Sequence, residues 1–217
     1  MALSPVKLLN DGPADGPVLL LAHGAGAAMD SSFMTEMARL IGDRGVHVAR
    51  FEFAYMAARR TDGKKRPPSR MPLLVEEFRH VLSQRASQTA SPKVFIGGKS
   101  MGGRVASLLA SEPDLSGSIS GLVCLGYPFH PPGKPDNLRT GHLADLQCPL
   151  LVVQGERDPF GNADEVPRYA LPASMTVHWA ASGNHDLVPP KKSCLTAQQN
   201  WTGAAQAVAE FALSTAA

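Results

Sequence analysis

Cysteine is scarce: Cys124, Cys148 and Cys194 are the only three in 217 residues. They form no C-x-x-C pair and are odd in number, so no disulfide framework is implied. Cys124 sits inside an apolar strand pattern, the ordinary place for a buried thiol. No histidines or cysteines are paired at metal-ligand spacing, and neither a metal nor another cofactor is expected. Long hydrophobic runs are missing too. The longest are strand-sized, far short of the roughly 20 residues that cross a bilayer. No basic start followed by an apolar stretch of secretory length opens the chain. Net charge is close to balance at +2, and no nucleic-acid partner is expected. These absences predict a soluble, cytoplasmic protein with no membrane association, and they leave its oligomeric state open.

What is present is a globular composition, 44% hydrophobic, in a length that suits one domain. Short apolar runs predict seven strands, at Val6–Leu9, Val18–Ala22, Val46–Phe53, Val94–Ile96, Leu122–Leu125, Leu150–Val153 and Met175–Trp179. Helical spacing predicts helices over Ser31–Asp43, Leu73–Gln88, Gly102–Ser111 and Leu195–Leu213, with a single turn at His142–Leu146. Strands alternate with helices throughout, which predicts a single α/β domain over residues 1–217. It would hold a mainly parallel sheet of about seven strands with helices on both faces. The stretch Ala57–Pro72 contains Pro67-Pro68 and reads as a surface loop. Within it, Arg59, Arg60, Lys64, Lys65, Arg66 and Arg70 stand beside a single acid, Asp62. A basic segment on a mildly acidic body suggests an anionic ligand or surface.

The chemistry gathers around Gly97-Gly98-Lys99-Ser100-Met101-Gly102-Gly103. An apolar run, a glycine-flanked serine and a helical pattern in succession fit a nucleophile elbow, a sharp turn that lifts a serine hydroxyl clear of the sheet. Gly98-Lys99-Ser100 also resembles the end of a phosphate-binding loop. That loop needs a glycine five places before Gly98, where Lys93 stands. Ligands of open parallel sheets bind beyond the carboxyl ends of the strands. Four polar features stand at such ends: His23-Gly24-Ala25-Gly26, Ser100, Asp158 and His185.

Serine needs a base within reach, which His185 supplies, and Asp158 would hold the imidazole in one tautomer. Glu156 and Asp164 are rivals for that third place, but Asp158 lies at the better distance from its strand. His23 reads as a structural turn residue. The N–H groups of Met101 and Ala25 are the candidate oxyanion donors. Gly24, Gly26, Lys99, Tyr127, Phe129, His130 and Phe160 are candidate substrate contacts, the aromatic residues as walls of an acyl pocket.

HGAGA at His23–Ala27, GGKSMGGR at Gly97–Arg104, QGERDPF at Gln154–Phe160 and GNHDL at Gly183–Leu187 together resemble the α/β-hydrolase superfamily. They look closest to its small, lidless, dienelactone-hydrolase-like branch. That branch is similar to a group containing a testis-expressed protein and a histone-acetyltransferase complex subunit. Dienelactone hydrolases carry a cysteine nucleophile where this chain has Ser100. The resemblance implies a serine hydrolase of small carboxylic esters or thioesters, working on a small-molecule acyl substrate through an acyl-serine intermediate, with no large cap. The competing expectation is a catalytically silent scaffold that docks an acidic partner through the basic loop 59–70.

Overall fold

The computed structural model describes residues 6–86 and 93–216. Seven strands form one sheet: β1 (Leu9–Asp11), β2 (Val18–Ala22), β3 (His47–Phe51), β4 (Val94–Lys99), β5 (Gly121–Leu125), β6 (Leu150–Gly155) and β7 (Met175–Ala180). Their order is β1-β3-β2-β4-β5-β6-β7, with β1 antiparallel to β3 and every other pairing parallel. Five helices pack on it: α1 (Ser32–Gly42), α2 (Ala54–Asp62), α3 (Met71–Ala86), α4 (Met101–Ala110) and α5 (Ala197–Ala216).

The central strands are apolar at consecutive positions because both faces are covered. Along β2, Leu19 and Leu21 point into a core shared with Met37 and Ile41 of α1 and Val208 of α5. Val18, Leu20 and Ala22 point into the opposite core, with Phe78 of α3 and Val105 and Leu109 of α4. All five β2 residues are fully buried. Between Leu125 and Leu150 the chain makes only one short 3₁₀ turn, Gly141–Asp145, so no large cap covers the carboxyl edge.

Two expectations are corrected. The first strand lies at Leu9–Asp11 rather than Val6–Leu9. Its register is held by polar contacts that hydropathy does not register: Arg50 donates to Asp11 at 2.8 Å, and the His47 ring lies 3.2 Å from Asn10 Oδ1. Val6 instead donates its N–H to Gln84 Oε1 at 2.8 Å. The stretch expected as a loop over Ala57–Pro72 begins inside helix α2, which ends at Gly63 in the left-handed conformation with φ +69°. Pro67 and Pro68 fall between helices, and Pro72 sits in the first turn of α3, where a missing N–H costs no hydrogen bond. The prolines therefore break neither helix. The expected end of the third helix at Gln88 lies outside the described residues.

Candidate active site

β4 runs straight into α4 through Ser100, whose φ of 52° and ψ of −113° are unusual for a residue with a side chain. Strain of this kind costs on the order of 1–3 kcal/mol and survives only where the surroundings impose it. The glycines explain how the turn closes. A Cβ on Gly98 would lie 2.5 Å from the carbonyl carbon of Gly102, and one on Gly102 would lie 2.6 Å from the carbonyl oxygen of His23. Strand β4, helix α4 and the loop after β2 meet at backbone contact, which no larger residue permits. Ser100 N–H donates to Leu125 O at 3.0 Å, fixing the turn to β5.

His185 reaches this serine from the loop after β7. Its Nε2 lies 2.8 Å from Ser100 Oγ and its Nδ1 lies 2.8 Å from Asp158 Oδ2. Asp158 is wholly buried, and two further donors satisfy it: Gln154 Nε2 to Oδ2 at 3.0 Å and Phe160 N–H to Oδ1 at 2.9 Å. Ser100, Asp158 and His185, drawn from three different strand ends, are thus joined by two hydrogen bonds. The rivals of Asp158 lie elsewhere. Glu156 accepts the Ser182 N–H at 2.6 Å, and Asp164 is exposed.

The histidine loop is held from several sides. Ser182 and Leu187 both have positive φ, 52° and 63°. Lys99 Nζ donates to the His185 carbonyl at 2.9 Å and pairs with Asp186 at 3.2 Å. Trp201 Nε1 donates to Asp186 O at 2.9 Å, and Asn200 Nδ2 to Leu187 O at 2.8 Å. Burial lowers the Lys99 pKa and the Asp186 carboxylate opposes that shift. Lys99 therefore anchors the loop and has no free charge for a substrate.

The loop after β2 lies against the elbow: a Cβ on Gly24 would be 3.8 Å from Ser100 Cβ. His23 is fully buried beneath it and burial pulls its pKa below the usual imidazole range, so it is neutral. Its Nε2 accepts Phe53 N–H at 3.2 Å and its Nδ1 lies 2.6 Å from Gly24 O, which defines the Nδ1–H tautomer. It is the structural turn residue its position predicted. Ala25 O accepts the Tyr55 hydroxyl at 3.0 Å, so α2 pins the middle of the Gly24-Ala25-Gly26 strap. Burial raises the Tyr55 pKa to about 12, with Glu77 and Glu52 adding to the shift, and the hydroxyl stays a donor.

Among the expected acyl-pocket walls, only Phe160 stands at the site, partly exposed with its ring 4.3 Å from that of His185. Tyr127 and Phe129 are fully buried and His130 is 2% exposed, so these three expectations are corrected. The chain after β5 turns inward: Tyr127 N–H donates to Gln154 Oε1 at 2.7 Å and its hydroxyl to Arg139 O at 2.8 Å. His130 N–H donates to Phe160 O at 3.3 Å and supports that residue from behind. Sequence reasoning missed Gln154 and Tyr55. A lone polar residue ending the apolar run Leu150–Val153 is the signal that marks Gln154; nothing local marks Tyr55. Among the described residues, no group of three or more His, Cys, Asp or Glu side chains is arranged to hold a metal, and no helix is long and apolar enough to cross a membrane.

An uncapped, mainly parallel sheet with Ser, His and Asp hydrogen-bonded in series beyond its strand ends defines the class of α/β-hydrolase folds. Residues 15–213 match the family described as alpha/beta hydrolase domain, and the chain belongs to that family. Est1E from Butyrivibrio proteoclasticus has a similar structure, with TM-score 0.67 and 13% identity over 99% of this chain and 97% of that one. XC6422 from Xanthomonas campestris, described as a serine hydrolase without lid, aligns with TM-score 0.67 and 16% identity over 96% and 90% of the two chains. A dienelactone hydrolase from Anabaena variabilis aligns with TM-score 0.65 and 19% identity over 99% and 92%. The fold is thus shared with a serine hydrolase without lid and with a dienelactone hydrolase.

Proposed function

We propose that this protein is a serine hydrolase of small carboxylic esters or thioesters. The hydrogen-bonded series Ser100–His185–Asp158 carries the reading. Ser100 Oγ attacks the acyl carbon while His185 Nε2 takes its proton, forming the Oγ–C bond. The imidazolium, oriented and stabilised by Asp158, then gives that proton to the departing alkoxide or thiolate as the carbon–heteroatom bond breaks. Water, deprotonated by His185, attacks the acyl carbon, and the imidazolium returns that proton to Ser100 Oγ as the acyl–oxygen bond breaks, so the net change is one ester or thioester and one water to one acid and one alcohol or thiol.

Met101 N–H, at the start of α4, and Ala25 N–H, on the strap beside Ser100, are the oxyanion donors in this reading. Each donor of this type is worth about 10²–10³ in kcat. The partial positive charge at the α4 N-terminus adds to the same field. The uncapped edge suits small or protruding acyl groups.

Labelling with a fluorophosphonate probe tests the proposal. The wild type reacts stoichiometrically at Ser100, whereas Ser100→Ala and His185→Ala do not. A folded wild type that neither labels nor cleaves p-nitrophenyl butyrate sinks it.

A further inference from the structure

A cavity of about 280 Å³ opens directly beside the strap of the candidate active site, lined by Ala25 and Gly26 on one wall. The buried side chains Tyr55 and Met56 line it as well, together with Arg59, Lys65 and Arg66. Three cations line it and no carboxylate does. A larger cavity, about 490 Å³, lies against the other side of α2. It mixes Arg60 with Asp30, Glu52 and Glu77 and shares no lining residue with the smaller one.

The basic segment is sorted by the fold. Arg60 turns away from the small cavity and binds Glu52 and Asp30. Arg66 pairs with Asp62. Arg59 and Lys65 have no carboxylate partner among the described residues. Helix α2 and its left-handed end at Gly63 therefore bring two uncompensated cations to the strap that carries Ala25. An anion placed there meets positive charge on one side and backbone pinned by the Tyr55 hydroxyl on the other.

The geometry points to an anion subsite: Arg59 and Lys65 select esters or thioesters that carry a compact carboxylate or phosphate group a few atoms from the scissile carbonyl. This rests on the hydrolase reading above and adds the substrate class to it.

The test compares kcat/KM for mono-p-nitrophenyl succinate, the p-nitrophenyl ester of 3-phosphonopropionate, and neutral p-nitrophenyl butyrate. In the wild type both anionic esters outrun the butyrate, and whichever is faster identifies carboxylate or phosphate as the preferred group. In Arg59→Gln/Lys65→Gln the anionic-to-neutral ratio falls tenfold or more. In Lys64→Gln/Arg70→Gln, which removes two cations of the same segment outside the cavity, the ratio is unchanged. An unaltered ratio in the first variant, or an equal fall in the second, overturns the subsite and leaves the hydrolase reading standing. If the wild type turns over none of the esters, the subsite is decided by calorimetry of monomethyl succinate with Ser100→Ala. Binding that weakens tenfold or more when Arg59→Gln/Lys65→Gln is added supports it; equal binding in both proteins, or none by Ser100→Ala itself, overturns it.

Discussion

Asp158 keeps three hydrogen bonds although no solvent reaches it, from His185, Gln154 and Phe160. A buried carboxylate is tolerated when its lone pairs are filled this way. Gln154 does double duty, since its Oε1 also accepts the Tyr127 N–H and so ties the strand-end loops of β5 and β6 together. Asp158→Asn leaves the volume unchanged but offers the imidazole a donor in place of an acceptor, which favours the wrong tautomer. The expected loss is about 10⁴ in kcat with little change in KM. Steady-state kinetics on p-nitrophenyl butyrate, with thermal unfolding as a control, reads this out; activity within tenfold of wild type would remove Asp158 from the series.

At the scale of elements, the loop between β7 and α5 is held by contacts from its neighbours. Two of its residues have positive φ without being glycine, and its carbonyls are taken by Lys99, Trp201 and Asn200. Gly155 permits the close approach: a Cβ there would lie 2.2 Å from the Asn184 carbonyl oxygen. Lys99→Met keeps the aliphatic stem and removes the donor to His185 O. We expect kcat to fall by about 10–100-fold, the order of effect that small misplacements of a reacting group produce, while KM holds. The ratio of anionic to neutral ester turnover should not move. A selective loss of the anionic ester would instead make Lys99 a substrate contact.

For the whole molecule, we expect the half-buried imidazole of His142 to shape stability in acid. His142, on the turn packed against α4, lies 2.8 Å from Ser107 Oγ. Burial, then the Arg104 charge, lowers its pKa to about 4, against the opposing effect of Asp145. The unfolded chain, with an ordinary imidazole near 6.5, binds more protons than the folded one between these values. Stability from this residue is therefore full above about pH 6.5, declines as pH falls and levels off below about 4. Urea midpoints measured across that window should fall more steeply for wild type than for His142→Gln; equal slopes would show that His142 is not the group responsible. The alternation of strands and helices was legible because a sheet covered on both faces demands continuous apolar runs, as in Val18–Ala22 and Leu150–Val153. Ser100, Asp158 and His185 were legible because strand ends and glycine turns bracket them. Edge strand β1 was misplaced because polar side chains set its register, and α2 was hidden because the prolines beyond it suggested a loop. Local pattern by itself determined the layered architecture and singled out Ser100, Asp158 and His185, since periodicity and turn chemistry act within a few neighbours. Only the tertiary structure decided that Tyr127, Phe129 and His130 face inward, that Lys99 serves the histidine loop, and that Arg59 and Lys65 stand beside Ala25. Burial and ion pairing depend on which distant segments meet, and no window of sequence contains that.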